Sequence, residues 1–233
     1  MDWISFYDFK HSVIYVNARH RDVHYRTIAE DIRSYVPSAQ ATVLDYGCGE
    51  ATSAGLLAAA SGHLTMVEAA PNVRAALAAR YAGNAKISVF TPDEAAAMPA
   101  GSFDLIVVHS VAQYLNPAEL DRLLGVFRRL LKSDGTLIVG DIVPPKLAAP
   151  AAALALLRFA IANGFFFAAV LGLMRIFVSD YLRLKKTFGL SHYDEAAMLA
   201  KLTASGYSAQ RAPRNIGHNP WRMTFLARPA AKT

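Results

Sequence analysis

Thr42-Val-Leu-Asp-Tyr-Gly-Cys-Gly-Glu-Ala-Thr52 is the stretch on which the reading of this chain turns. Val43 and Leu44 read as the end of a buried strand. Gly47 and Gly49 read as a tight turn that brings backbone close to a ligand, and Thr52–Ala60 as a helix leaving that turn. Strand, glycine turn and helix N-terminus together make a ligand-binding corner. Glycine turns after strands are common, so Gly-x-Gly needs support from the rest of the chain.

Outward from that corner, strand and helix patterns alternate with short connections. Strands are expected at Thr42–Asp45, Leu64–Val67, Ile87–Phe90, Phe103–His109, Thr136–Gly140 and Arg222–Ala227, with Asp134-Gly135 as the turn into the fifth. Helices are expected at about Thr52–Ala60, Asn72–Tyr81 and Ala118–Leu131. This is the pattern of an α/β fold, a mostly parallel sheet covered on both faces, with ligands at the carboxyl ends of its strands. Upstream, residues 1–21 are aromatic and irregular. Asp22 is expected to cap a helix running to about Val36, where Pro37 ends it, so that residues 1–40 form a cover over the domain. Arg19, His20, Arg21, His24, Tyr25 and Arg26 crowd the start of that helix. They read either as a solvated face or as a place where a ligand carboxylate is met.

The chain has 233 residues, enough for one domain with a large core. Hydrophobic residues make up 54% of it, and one segment carries the excess. Cys48 is the only cysteine, which excludes an internal disulfide, and Met1-Asp-Trp-Ile-Ser-Phe-Tyr-Asp has neither the basic start nor the apolar run of a signal peptide. A reducing, cytoplasmic location is therefore expected. A net charge of +6 fits solubility of a greasy protein as well as it fits an anionic partner. Seven scattered histidines without metal-ligand spacing give no reason to expect a metal.

Carboxylates fall at the strand ends. Asp45 closes the first strand and Glu68 the second, 23 residues later, near the spacing at which a second-strand acid meets a ribose in nucleoside-binding folds. Asp93 and Glu94 follow the third strand, and Asp104 lies inside the fourth, where a buried acid needs a partner. A dinucleotide fingerprint would need a third glycine where the chain has Thr52, so a nicotinamide cofactor fits less well.

In order, Val43-Leu-Asp-Tyr-Gly-Cys-Gly49, Thr65-Met-Val-Glu68, Asp93-Glu-Ala-Ala-Ala-Met-Pro99 and Gly101-Ser-Phe-Asp-Leu-Ile-Val-Val108 resemble the class I S-adenosylmethionine-dependent methyltransferases. The resemblance covers roughly residues 41–143 and implies a Rossmann-like sheet of seven strands whose last is antiparallel. Glu195–Ser205, Gly206-Tyr207 and Trp221–Arg228 look like its closing helix and final two strands. It implies S-adenosylmethionine as cofactor and S-adenosylhomocysteine as product. By position, Gly47, Cys48 and Gly49 pass close to the methionine part, Asp45 orders that loop and Glu68 binds the ribose hydroxyls. Ala69 borders the adenine, Asp93 or Glu94 with Ala95 lie near its exocyclic amine, and His109, Ser110 and Val111 lie beside the sulfonium. Ala51 and Tyr46 depart from the family's usual glycine and aliphatic residue.

Leu147 to Val178 carries the hydrophobic excess, with Arg158 and Arg175 its only charges. Its uncharged run is too short for a spanning helix and is broken at Asn163-Gly164, so residues 144–190 read as an insertion built on two helices. Related enzymes often place a substrate-covering lid there. An inner packing layer or homodimer contact, a wall for a lipophilic substrate and peripheral docking on a membrane are its three readings, the last aided by Tyr181-Leu-Arg-Leu-Lys-Lys186.

The residues therefore predict methyl transfer to a small hydrophobic acceptor, most readily at oxygen. His109-Ser-Val-Ala stands where nucleic-acid amino methyltransferases commonly show Asn or Asp followed by Pro-Pro and an aromatic, so no nucleic acid is expected. A hydroxyl acceptor needs a base near neutral pKa, for which His109, His192 and His11 are the candidates. A membrane-surface lipid or quinone methyltransferase and a non-catalytic protein that binds the cofactor are the alternatives.

Overall fold

The structure is a computed structural model and describes residues 3–10, 15–147, 149–176 and 190–231. Its frame is a seven-stranded sheet: β1 (Thr42–Tyr46), β2 (His63–Val67), β3 (Ile87–Phe90), β4 (Phe103–His109), β5 (Leu131–Ile142), β6 (Tyr207–Arg211) and β7 (Met223–Pro229). The order is β3-β2-β1-β4-β5-β7-β6. The first five strands pair in parallel, and β7 runs antiparallel to both β5 and β6.

Side-chain alternation assigns the two faces. Leu44, Ile106, Val108, Leu137 and Val139 point into one core, against Leu120, Leu124 and Phe127 of α6 (Pro117–Leu130) and Met198 and Leu202 of α9 (Glu195–Ala204). Val43, Leu105, Val107 and Ile138 point into the other, against α2 (Ala18–Arg33), α3 (Ala54–Ala60) and α4 (Pro71–Tyr81). Near-continuous apolar strands are what a sheet covered on both faces requires. Asp104 inside β4 is satisfied by Lys132 Nζ at 2.8 Å and by the Thr42 amide at 2.7 Å.

Three expectations need correction. Trp3–Lys10 is a helix, α1, and α2 begins at Ala18, because the Asn17 side chain accepts from the His20 amide at 2.8 Å and caps it; Asp22 instead pairs with Arg21 at 3.0 Å. Asp134-Gly135 lies inside β5, which follows α6 directly. The pairing with β4 slips between Phe103 and Leu105, so these two residues form an irregularity in the strand and not a turn into it.

The insertion is two helices, α7 (Ala149–Asn163) and α8 (Phe166–Ile176), separated at Gly164 with φ +72°. Arg19 Nε donates to the Asn163 carbonyl at 2.5 Å at the end of α7. Ala160, Phe165 and Ala169 join the two helices around a small core that includes Val16. The stretch Tyr181–Lys186 lies outside the described residues. Among those described, no helix is long and apolar enough to cross a membrane.

Candidate functional site

The glycine corner is built as its residues demand. Gly47 (φ +70°) and Gly49 (φ +61°) both adopt the left-handed backbone. A Cβ at Gly47 would run into the Val111 side chain, and one at Gly49 would sit 2.5 Å from the Tyr25 hydroxyl. Ala51 also turns left-handed (φ +37°), which explains why glycine is usual there and shows that the alanine bears some strain. Tyr25 accepts the Glu50 amide at 2.9 Å, so α2 braces the loop from outside.

Glu68, at the end of β2, braces it from inside. One carboxylate oxygen accepts the Gly49 amide at 2.9 Å and the other the Ala70 amide at 2.8 Å. Each oxygen keeps a lone pair for a ligand hydroxyl. Burial raises the pKa of this carboxyl, while the amides and nearby Arg74 oppose the shift. Asp45 has no hydrogen-bond partner for its carboxylate among the described residues, and burial, with Glu68 close by, raises its pKa to about 7. A cation placed beside it would favour its charged form. Cys48 is buried, and burial pushes its thiol pKa well up, so it is a small inert residue of the turn.

Not every expected residue reaches the cavity at this corner. Ala69 and Tyr46 line it. Glu94 closes a capping box with Thr91 at the start of α5 (Pro92–Ala96), and both Asp93 and Glu94 are exposed while Ala95 is buried in the core. The wall there is Pro92.

At the next strand ends, Ser110 (φ +58°) follows β4 and Asp141 (φ +66°) lies near the end of β5. The Ser110 hydroxyl donates to Asp141 Oδ2 at 2.5 Å, and Arg222 donates to the same oxygen. Burial pushes the Asp141 pKa up, but Arg222, His109 and the Ser110 hydrogen bond together hold it below the usual carboxylate range. His109 is tied through Nε2, which donates to the Ile216 carbonyl at 3.2 Å, while Nδ1 lies 3.2 Å from Ser110 Oγ. A carbonyl only accepts, which fixes a proton on Nε2. His109 therefore acts as a strut between β4 and the segment ahead of β7.

One cavity of about 1130 Å³ joins these strand ends. Ligand sites of about 300–1,000 Å³ are usual, so it has room for a nucleoside-sized ligand with a second molecule beside it. Trp3 and Tyr7 of α1 close one side, Tyr7 donating to the Tyr114 hydroxyl at 2.6 Å. Ala152 and Leu156 of α7 and Gly172 of α8 close another. His20 and His24 of α2 and His218 enter the same cavity. The crowded start of α2 thus divides, with Arg26 exposed and the two histidines turned inward. His192 is exposed and does not line the cavity, and His11 lies outside the described residues.

Residues 43–135 match the model of a family described as a methyltransferase domain. Over that stretch the chain is similar to methyltransferase domains, and the sheet around it is Rossmann-like. Solved structures share this fold at low identity. Phosphoethanolamine N-methyltransferase 1 of Haemonchus contortus, in complex with phosphoethanolamine and S-adenosylhomocysteine, is 16% identical with a TM-score of 0.64, over 99% of this chain and 48% of that one. Magnesium protoporphyrin IX methyltransferase of Synechocystis PCC 6803, with bound S-adenosylhomocysteine, is 14% identical with a TM-score of 0.61, over 96% and 95%. No curated protein sequence matches the chain significantly.

Sequence reasoning missed Asp141, Arg222 and His218. Asp141 had a signal, an acid after Gly140 at the end of the fifth strand. His218 lies in an irregular segment whose path only the fold supplies.

Proposed function

We propose that this chain transfers the methyl group of S-adenosylmethionine to a small, largely apolar acceptor, at oxygen. The observation that carries the reading is Glu68: its two oxygens hold the glycine loop while their remaining lone pairs are available to a ribose. Gly47 and Gly49 give the methionine part its close approach. Asp45, raised to about 7 by burial and by Glu68, suits a donor that brings positive charge. Transfer from a sulfonium is an in-line displacement, so alignment and exclusion of water are the protein's main tasks. The walls given by α1, α7 and α8 serve both.

The two named neighbours methylate different acceptors, so they support the donor half of this reading and leave the acceptor to this chain's own walls. Those walls include Leu156, Ala152, Val16 and Ile4. Calorimetric titration with S-adenosylhomocysteine tests the proposal. Micromolar binding by the wild type, weakened by about tenfold or more in Glu68→Ala, is the expected result. Absence of binding, or Glu68→Ala binding as the wild type does, overturns it.

A second reading, methylation of a lipid or quinone at a membrane surface, is favoured by one observation. Ile161, Phe167, Leu171 and Met174 on α7 and α8 are 51–82% exposed, next to the helices that line the cavity.

A further inference from the structure

We propose that His24, flanked by His20 and His218, is the base that takes the proton of a phenolic or enolic hydroxyl as that oxygen is methylated. The inference rests on the methyl-transfer reading above and names the acceptor class for the same cavity.

The three imidazoles form one group on the acceptor side. Ring centroids of His24 lie 6.1 Å from His20 and 5.8 Å from His218. Two come from one face of α2, four residues apart, and the third from the segment ahead of β7. The insertion lies against them: His218 stacks on Phe159 of α7 at 4.5 Å and 16°, and His20 stacks on Phe165 at 5.0 Å and 21°. The acceptor side is thus aromatic and apolar with imidazole edges as its polar points. Such a wall suits a flat apolar molecule bearing one hydroxyl.

Elimination singles out this group. Asp141 is engaged by Ser110, Asn215 and Arg222. His109 is tied by Nε2 to the Ile216 carbonyl, and its Nδ1 lies against Ser110 Oγ. Glu68 and Asp45 belong to the glycine corner, and burial keeps the Cys48 thiol protonated. By contrast, His24 Nδ1 and His20 Nε2 are buried without a hydrogen-bond partner among the described residues. The Val16 amide donates to His20 Nδ1 at 3.3 Å, so Nε2 carries that ring's proton and is free to donate. Buried ring nitrogens left open in this way call for a polar group that completes them.

His24 is central. Around it stand His20 and Tyr25 from α2, Tyr15 ahead of α2, His109 from β4, Asp141 from β5 and His218 ahead of β7. Burial above all, with the neighbouring histidines, holds its pKa well below the ordinary value, so the ring is neutral, and it takes the proton as methylation of the acceptor oxygen makes that proton strongly acidic. A weak base of this kind suits an acidic hydroxyl, such as a phenol with a pKa of about 10, better than an aliphatic alcohol.

The step balances. A lone pair of the acceptor oxygen forms the new O–C bond, the S–C bonding pair returns to sulfur, and the sulfonium becomes a thioether. The hydroxyl proton passes to His24. The single positive charge moves from sulfur to imidazole, and the net charge of the cavity is unchanged.

The test uses the full chain with methyl-labelled S-adenosylmethionine and a panel of alkylphenols and a hydroxynaphthoquinone, against alkylanilines, alkylbenzoates and alkanols. Label on the phenols or the hydroxynaphthoquinone, a fall in kcat of about a hundredfold or more in His24→Asn at unchanged S-adenosylhomocysteine affinity, and rescue of His24→Ala by added imidazole support it. Label confined to the other three classes, or His24→Asn turning over as the wild type, overturns it. If nothing on the panel turns over, an alkylphenol is titrated into the S-adenosylhomocysteine complex labelled at histidine carbons. Shifts of His20, His24 and His218 with His192 unmoved support the site, and no shift overturns it. Failure of the wild type to bind S-adenosylhomocysteine at all overturns the donor reading instead.

Discussion

Ser110 and Asp141 meet across the ends of β4 and β5, hydroxyl to carboxylate at 2.5 Å, with both backbones in the left-handed region. Left-handed backbone costs a non-glycine residue about 1–3 kcal/mol, and two such residues side by side persist only where the surroundings determine them. Here Arg222 and Asn215 do so, and the result aims two polar side chains into the cavity. Asp141→Asn keeps the shape and the tolerance for this backbone but removes the charge opposite Arg222. Since the Arg222 side chain is 24% exposed and the Asp141 side chain 10%, a loss of about 2–3 kcal/mol is expected, somewhat below that of a fully buried pair. Urea unfolding at neutral pH measures it. A change under about 0.5 kcal/mol would mean the pair contributes nothing to the fold.

Gly49 and Tyr25 offer a coupled test of the corner. Gly49→Ala places a methyl 2.5 Å from the Tyr25 hydroxyl and forces alanine to φ +61°, and a loss of about 2–3 kcal/mol is expected. Tyr25→Phe loses the hydrogen bond to the Glu50 amide, about 1 kcal/mol, but removes the clashing oxygen. The double variant should then be more stable than the sum of the singles by about 1 kcal/mol, read from a double-mutant cycle in urea. Strict additivity would show that backbone strain alone makes glycine necessary at position 49.

How much of the fold is legible in the sequence depends on period and on path. Strands β1 to β4 and the break at Gly164 were legible, because apolar runs and punctuating residues are local signals. The start of α2 was not. Its inward face uses His20 and His24, which apolar periodicity does not count, and its cap is Asn17 in place of Asp22. Asp134-Gly135 carries the composition of a turn and sits inside β5, in the stretch between Leu131 and Thr136 where the pairing with β4 slips. At the site, Asp45, Gly47, Gly49 and Glu68 stand together at strand ends in motif order. His20 and His24 share a face of α2 through their i, i+4 spacing, but His218 joins them only through the packing of α2 against the segment ahead of β7, a relation that no spacing encodes.

Those histidines set an acid response. Burial, with His218 adding to it, lowers the pKa of His20 to about 4; burial also lowers His218 to about 4, and His24 is lowered well below its ordinary value. All three are neutral in the fold, whereas the unfolded chain takes up their protons near pH 6.5. Between pH 6.5 and about 4 the unfolded state therefore binds more protons, so stability rises with pH across that window and is lost as pH falls through it. Unfolding midpoints in urea at pH 7.5, 6 and 5 should decline, and His20→Leu should flatten the decline. An unchanged slope in that variant would show that His20 is not held neutral.

The apolar ridge of the insertion separates the remaining readings. Phe167 is 82% exposed, Ile161 65% and Met174 56%, and no acidic residue occurs between Asp141 and Asp180, while Lys146 and Arg158 are exposed. Burying a phenylalanine and an isoleucine in a bilayer interface contributes about 1.5–3 kcal/mol each. If the ridge docks on membranes, the protein should float with anionic vesicles, less so at high salt, and the double variant Ile161→Ser/Phe167→Ser should lose about a hundredfold in partitioning. If the ridge instead joins two copies, light scattering should show a dimer that the same variant converts to monomer, with no flotation. Because Leu156 and Gly172 line the cavity from the same two helices, either outcome bears on catalysis. A membrane-docked ridge would open the acceptor side of the cavity toward lipid, where an apolar phenol or quinol partitions, whereas a dimer would close it against a second copy of the chain.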